Sequence, residues 1–308
     1  MTAVMRVKDR PGLFTTIQDL GRPHAIASGV PPGGVMDRFA HSAANLLVGN
    51  ERTAATLECT LTGPRLLVEE PRVVAISGAD LDPRVNGHRA PMWTAIELRA
   101  GDELSFGGRR SGARAYIAVA GGIIGDRWLG SMSTNVMAGR GGMHGRPLAA
   151  GDVISAGEPQ APPRFGVAIS PPGYADRTLR VIEGPHIDRL APAARQQLLS
   201  SVFHVSPHSD RMGYRLDGPP LEMPAGELLS FGLVAGVVQL PPGGQPILLM
   251  ADHQTAGGYP VVMTVTSASM PIAAQLAPGD EVLFEATTIG AALKARADQR
   301  AALDLSTT

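Results

Sequence analysis

A mainly β fold is predicted by three features of this 308-residue sequence. Glycine (37 residues) and proline (26 residues) make up about a fifth of it, well above ordinary usage, and are spread along the whole chain. Between them lie short β-branched or alternating runs of single-strand length. Helical periodicity is confined to three stretches, which excludes long-helix architectures.

Taken in order, the strand runs are 65–69, 72–77, 113–120, 178–182, 237–240, 246–250, 261–265 and 281–285, most of them bounded by Gly, Pro or Asp. The first helix is expected over 38–48, with Asp37 as N-cap, Phe39, Ala43, Leu46 and Leu47 on one apolar face, and Gly49 closing it. A second is expected over 191–203, capped by Asp188 and carrying Pro192 in its first turn. The third is the Ala-rich stretch 289–303.

Phrases recur between the two ends of the chain. Pro31-Pro32-Gly33-Gly34 returns as Pro241-Pro242-Gly243-Gly244, and Gly63-Pro64 as Gly218-Pro219. A Gly-Asp turn feeding a strand occurs at Gly101-Asp102, Gly151-Asp152 and Gly279-Asp280. Common turn chemistry explains such phrases, since Pro presets one turn dihedral and Gly supplies positive φ. Duplication of a β-barrel-like unit explains them equally. The expected halves are 1–165 and 166–308, joined near the Pro-rich stretch 158–164 or the Pro171-Pro172-Gly173 turn, with interleaving left open.

Composition removes several function classes. The formal net charge is −1, so a bulk electrostatic drive toward nucleic acid or an anionic membrane is missing. Cys59 is the only cysteine, which excludes an intrachain disulfide framework and a cysteine-built metal site; no metal site is expected. The first residues lack the apolar core of a signal peptide, and no apolar run reaches the ~18 residues of a membrane span, so a cytoplasmic protein is expected. Walker, H-E-x-x-H, G-x-S-x-G and C-x-x-C motifs are absent, and His144 stands where a dinucleotide fingerprint at Gly139–Gly142 needs its third glycine. Lys8 and Lys294 are the only lysines among 27 basic residues, and neither sits in the hairpin a covalent biotin would need.

Four glycine-rich clusters carry polar side chains. Residues 15–22 lead to Gly33-Gly34 before the first helix, where N–H groups and the dipole favour an anion, although Asp37 as cap answers the same need. Gly121-Gly122 leads to Ser131 and Ser133, whose hydroxyls could donate to phosphate or carboxylate oxygens. Arg211 and Arg215, with Tyr214 between them, could clamp an oxyanion or serve a structural ion pair. In the run 251–260, Asp252 could orient His253 or hold Mg²⁺, while Gln254, Thr255, Gly257 and Gly258 could hold an amide. A turn with Tyr259 in the core is the competing reading there. His41, His88, His186 and His204 read as core or surface fillers.

The runs GLFTTIQDLGR (12–22), GVPPGGVMDRFAHSAANLLVGN (29–50), SDRMGYRLDG (209–218) and DHQTAGGYP (252–260) resemble the biotin-dependent carboxyltransferase-like family, also called the allophanate hydrolase subunit 2 or KipA family, whose bacterial members include the 5-oxoprolinase C subunit. The resemblance implies two cyclophilin-like β-barrel subdomains with a few short helices. It implies an enzyme active only in complex, its partners being a B subunit, or KipI-like chain, and an A subunit. The implied reaction is ATP-dependent, with Mg²⁺: the B and C subunits phosphorylate 5-oxo-L-proline, and the A subunit then completes hydrolysis to L-glutamate. Asp252, His253 and Arg211 are the implied catalytic residues; Arg215, Tyr214, Gln254, Thr255, Gly257, Gly258, Gly33, Gly34, Ser131 and Ser133 would bind substrate or phosphate. Two further readings are a carboxyltransferase module moving a carboxyl group from biotin to urea or another amide, and a non-catalytic regulator of a KipI-like partner. Met132 and His253 stand where the family commonly has arginine.

Overall fold

The computed structural model describes residues 2–222 and 228–305. The chain divides into two compact units: Met1–Arg22, Gly33–Pro172 and Ala302–Thr308 form the first, and Pro23–Pro32 with Gly173–Ala301 form the second.

The first unit is built of two antiparallel sheets. The larger runs Ile123–Ile124, Val153–Ala156, Thr2–Val7, Leu66–Val68, Glu103–Phe106, Pro83–Val85, His88–Arg89. The smaller runs Phe14–Gln18, Thr56–Thr60, Ser111–Val119, Arg72–Asp80, Ala95–Leu98. Met5, Leu66, Leu104 and Ile154 of one sheet share a single buried cluster with Ile17, Leu57, Ile76 and Ile117 of the other. The strand Ser111–Val119 is buried on both faces beyond its first residue, and from Ala115 to Val119 its residues run apolar without alternation. Cys59 lies in this core, and burial pushes its thiol up to about 12, leaving no thiolate chemistry at neutral pH.

The Arg38–Leu47 helix packs on the smaller sheet, where the Ser77 hydroxyl donates to the Ala40 carbonyl at 2.7 Å. Asp37 caps it as expected, Oδ1 accepting from Ala40 N–H at 2.9 Å. Gly49 follows at φ 78°, and a Cβ there would sit 2.5 Å from the Ala161 carbonyl oxygen. Beneath the turn into this helix, Glu58 accepts from Met36 N–H and from the Tyr116 hydroxyl, each at 2.8 Å, while that hydroxyl accepts from Asp37 N–H at 2.8 Å. His41, fully buried on the helix, bonds Thr56 and the Arg52 carbonyl through its two ring nitrogens; burial brings it down to about 4, so it is a neutral core group.

The second unit contains a closed barrel, ordered Thr178–Glu183, Val261–Val265, Val237–Gln239, Ile247–Leu249, Gly213–Asp217, Phe203–Val205, Glu281–Ala286. It closes through the one parallel pairing among these strands, Thr178–Glu183 against Glu281–Ala286. Leu179, Phe203, Leu216, Leu248, Val262 and Phe284 are buried. The protein is therefore mainly β, with few helices.

The Gly-Asp phrase is one device used three times. Gly101, Gly151 and Gly279 have φ of 89°, 89° and 87°. Each glycine N–H donates to the last valine of a neighbouring strand, Val68, Val7 or Val205, at 2.9, 2.8 and 2.7 Å. The aspartate that follows accepts from the N–H three residues upstream, at 2.7, 2.7 and 2.9 Å, and a strand begins directly after it. The Pro-Pro-Gly-Gly turns are less alike: Gly33 has φ 63°, whereas Gly243 is outside the positive region and only Gly244, at φ 73°, is inside it.

Two helix expectations need correction. Asp188 caps nothing: it lies in the 3₁₀ turn Ile187–Arg189 and pairs with Arg195 at 2.7 Å, and the helix runs only Pro192–Ser200 with Ala191 at its N-cap. Proline at the first helical position fixes the start one residue before itself, too far from Asp188. The last helix is Ile289–Ala301, ending before 303. Tyr259, expected in the core if the 251–260 loop were only a turn, is 45% exposed.

Candidate functional site

In the first unit the strand Phe14–Gln18 delivers Asp19 to the loop after it, and the candidate loops gather around that carboxylate. Asp19 Oδ1 accepts from the Ser131 and Ser133 hydroxyls, at 2.6 Å each, and from Gly21 N–H at 2.8 Å; Oδ2 accepts from Met132 N–H at 2.7 Å. Burial pushes its pKa up, but the serine hydroxyls and the two backbone N–H groups outweigh it, and the carboxyl lies below its ordinary range. Arg22, fully buried, donates to the Ser133 carbonyl and stacks 4.9 Å from the Trp128 ring.

Ser131 and Ser133 were expected to donate to a ligand oxyanion; both hydroxyls donate to Asp19 instead and are buried. Gly34 serves close backbone approach, since a Cβ there would lie 2.8 Å from the Leu20 carbonyl carbon, Gly33 takes a positive φ of 63°, and Val35 N–H donates to the Asp19 carbonyl at 2.9 Å. Asp37 holds the positive helix end.

The same loops border an open cavity of about 1350 Å³ within this unit, lined by Asp19, Gly21, Gly121, Gly122, Gly130 and Met132. Asn50 shapes its wall: Oδ1 accepts from Gly121 N–H at 2.9 Å, and Nδ2 donates to the Val119 carbonyl at 2.8 Å. Arg127 and Arg164 bring the cationic groups, with one bond each to the Gly130 and Leu305 carbonyls at 3.3 Å. Met132 is held by packing, its sulfur 3.4 Å from Gly125 N and its side chain against the core. Asp19, Asn50, Arg127 and Arg164 were not singled out from sequence; Asp19 lies within the run 12–22, but nothing local marks it as a hub.

The second unit holds the other group. Arg211 and Asp252 form one bidentate pair, Nε to Oδ2 at 2.8 Å and Nη2 to Oδ1 at 3.2 Å, with side chains only 10% and 19% exposed. Of the two readings of Arg211, an oxyanion clamp or a member of a structural ion pair, the structure shows the ion pair, and its partner is Asp252, which was read instead as orienting His253 or holding Mg²⁺. Arg215 and Tyr214 cannot clamp with Arg211, because they alternate on the strand Gly213–Asp217: Tyr214 faces the core and Arg215 solvent.

His253 is buried beside the pair, with Nδ1 2.7 Å from the Gln254 carbonyl oxygen. A carbonyl only accepts, so Nδ1 carries the proton and Nε2 the lone pair. Burial dominates its titration and lowers the pKa below 6.5. Protonation therefore favours the unfolded chain, and stability falls as pH drops through the unfolded value. Nitrogen-15 imidazole shifts are expected to show the Nδ1–H tautomer in the neutral ring and a titration midpoint below that of an exposed histidine; a midpoint at or above it would contradict the assignment. Gln254 and Thr255 are half-buried; a Cβ on Gly258 would meet the Leu228 carbonyl oxygen at 2.9 Å, and one on Gly257 would displace the Gln254 side-chain amide, 2.5 Å away.

The family model described as carboxyltransferase domain, subdomain A and B, matches residues 28–286 of the chain. The chain is 37% identical to the 5-oxoprolinase C subunit of Escherichia coli, over 94% of each chain. It is 32% identical to the 5-oxoprolinase C subunit of Haemophilus influenzae, over 99% of this chain and 97% of that one. Among solved structures it is similar to the urea carboxylase of Kluyveromyces lactis, with TM-score 0.91 and 30% identity, over 98% of this chain but 29% of that one. No helix among the described residues is long and apolar enough to cross a membrane. On the family match and the full-length relatives, the chain belongs to the family of carboxyltransferase domains with subdomains A and B.

Proposed function

We propose that the chain is the C subunit of an ATP-dependent 5-oxoprolinase, which works with the B subunit to phosphorylate 5-oxo-L-proline so that the A subunit hydrolyses it to L-glutamate. One observation carries the reading: the correspondence with named 5-oxoprolinase C subunits runs end to end in both directions. The five-membered lactam is a stable amide, and its opening needs an activated leaving group. In this reading the lactam oxygen attacks the γ-phosphorus of ATP, the bond to ADP breaks, and the ring nitrogen gives up its proton to leave a neutral imidate phosphate. Water then adds at the ring carbon, the ring nitrogen takes up a proton and leaves as the amine to give an acyl phosphate, and a second water displaces phosphate from it to give L-glutamate. Mg²⁺ arrives on the ATP phosphates.

The neutral Nε2 of His253 is suited to accept the lactam proton, because the Gln254 carbonyl fixes the tautomer that leaves this nitrogen basic. Arg211, oriented by Asp252, would hold the substrate carboxylate, and Gln254 and Thr255 the amide edges. A second reading, transfer of a carboxyl group from biotin on another chain to urea or a related amide, is favoured by the likeness to urea carboxylase.

The test is phosphate release from ATP by this chain mixed with its co-encoded A and B candidates, with and without 5-oxo-L-proline and with each chain omitted. Release requiring both 5-oxoproline and this chain is expected. Avidin-sensitive turnover of an amide, with no 5-oxoproline-dependent release, would replace the first reading by the second.

A further inference from the structure

We infer that His186 is a positioning residue for the loop 252–260, a clasp that closes only while its imidazole is neutral. That the loop holds substrate rests on the proposed function; the clasp itself does not.

His186 follows the barrel strand Thr178–Glu183, where the chain turns into Ile187–Arg189. It grips Val261, the first residue of the strand that leaves the loop, in two ways. Its N–H donates to the Val261 carbonyl at 3.0 Å, and its Nδ1 accepts from Val261 N–H at 3.1 Å. Val261 is buried and pairs with Gln239. Leu240 N–H donates to the Pro260 carbonyl at 2.9 Å, which makes this a non-hydrogen-bonded pair, so Val261 N–H points to the other side. On that side the pairing with Thr178–Glu183 stops at Met263, and the imidazole takes the place of a ladder acceptor.

The same ring packs on Phe231, with centroids 5.0 Å apart and planes at 36°. Phe231 and Gly232 pair with Gly257 and Ala256, and Leu233 N–H donates to the Thr255 carbonyl at 3.0 Å. One side chain therefore touches both the strand that ends the loop and the strand that pairs along it. The loop's other end is fixed by the Arg211–Asp252 pair.

An amide only donates, so Nδ1 carries the lone pair and the neutral ring is protonated at Nε2, the opposite tautomer from His253. A second proton has to go on Nδ1. It would set donor against donor and leave a buried N–H without its acceptor, so the ring must swing away and the Phe231 contact goes with it. Charged groups around the ring are few. The strand Val261–Val265 and the residues Phe231–Gly232 carry none. In the loop, Asp252 is bonded to Arg211, His253 to the Gln254 carbonyl, and Tyr259 is exposed. Along its own segment stand Glu183, which is exposed, Asp188, which pairs with Arg195, and Arg189. Protonation of His186 and closure of the loop therefore exclude each other.

The first test needs no variant. Nitrogen-15 imidazole shifts are expected to show the neutral His186 ring as the Nε2–H tautomer, with the Val261 amide resonance moving as the ring titrates; an Nδ1–H tautomer overturns the clasp. The second test is amide hydrogen exchange with His186→Asn, whose Oδ1 stands where Nδ1 does and accepts without titrating. From about pH 8 to about pH 5, a span that covers imidazole titration, protection at Leu233 is expected to fall about tenfold in the wild type and to stay level in the variant. An equal fall in both forms overturns the clasp. The third readout is KM for 5-oxo-L-proline in the complex with the A and B candidates, because kcat also carries the titration of His253. KM is expected to rise about three- to tenfold over the same span in the wild type and to stay level in His186→Asn. An equal rise in both forms removes His186 from positioning the substrate. Absence of 5-oxoproline turnover in both forms counts against the proposed function, while hydrogen exchange still decides the clasp.

Discussion

Asp252→Ala is expected to lower the melting temperature by roughly 6–12 °C and to abolish 5-oxoproline-dependent phosphate release. The thermal effect follows from what remains: Arg211 keeps a charge in a side chain that is only 10% exposed, and it loses both bonds to its carboxylate. Removing one partner of a mostly buried pair costs about 3 kcal/mol or more, and each kcal/mol shifts a chain of this size by about 2–4 °C. Arg211→Ala is expected to cost a similar amount, and the double variant less than the sum of the two, with a coupling of about 1–3 kcal/mol. Differential scanning calorimetry gives the first quantity and a double-mutant cycle in urea the second. Activity separates function from stability. At 20 °C, where the variants remain folded, Arg211→Lys keeps the charge but not the bidentate fork, so it is expected to raise KM for 5-oxoproline while leaving kcat nearly intact. Full turnover by Asp252→Ala in its complex would end the assignment of this pair to the reaction.

Local chemistry was legible in the sequence, and chemistry assembled across distance was not. The Asp37 cap and the three Gly-Asp turns are short-range devices whose donors, acceptors and positive-φ glycines lie within a few residues, and the structure forms them as read. The strand Thr2–Val7 escaped because its register shifts between Ala3 and Met5, placing Val4 and Met5 both in the core and breaking the alternation. Phe14–Gln18 escaped because Thr15, Thr16 and Gln18 are polar yet buried, which no hydrophobic pattern marks. The site divides in the same way. Arg211 and Asp252 were each picked out for chemical type, but their pairing spans 41 residues and neither run announces the other. Asp19 takes its role from Ser131, 112 positions away, so it looked like an ordinary loop aspartate while the serines looked free to meet a ligand.

The Asp19 cage supplies the second large effect. Asp19→Ala leaves two N–H donors and two hydroxyls without their acceptor, in loops that line the cavity of the first unit. Hydrogen bonds to an ionised group contribute about 1.5–3 kcal/mol each and are not additive when they share an acceptor; a loss of about 3–4 kcal/mol is expected. Asp19→Asn is the more telling change. It keeps the shape, but its amide nitrogen turns a donor toward donors, so it should recover little of the loss. The pH dependence distinguishes the charge from the packing. The folded carboxyl titrates below its unfolded value, which is near 3.9, so its contribution is fully present above that value and is lost as pH falls through the folded one. The stability gap between wild type and Asp19→Asn, measured by urea unfolding, should therefore be constant from pH 7 to about 5 and shrink below pH 4. A gap that stays constant into acid would mean that Asp19 acts through shape alone, and that the loops gathered on it are held by packing rather than by its charge.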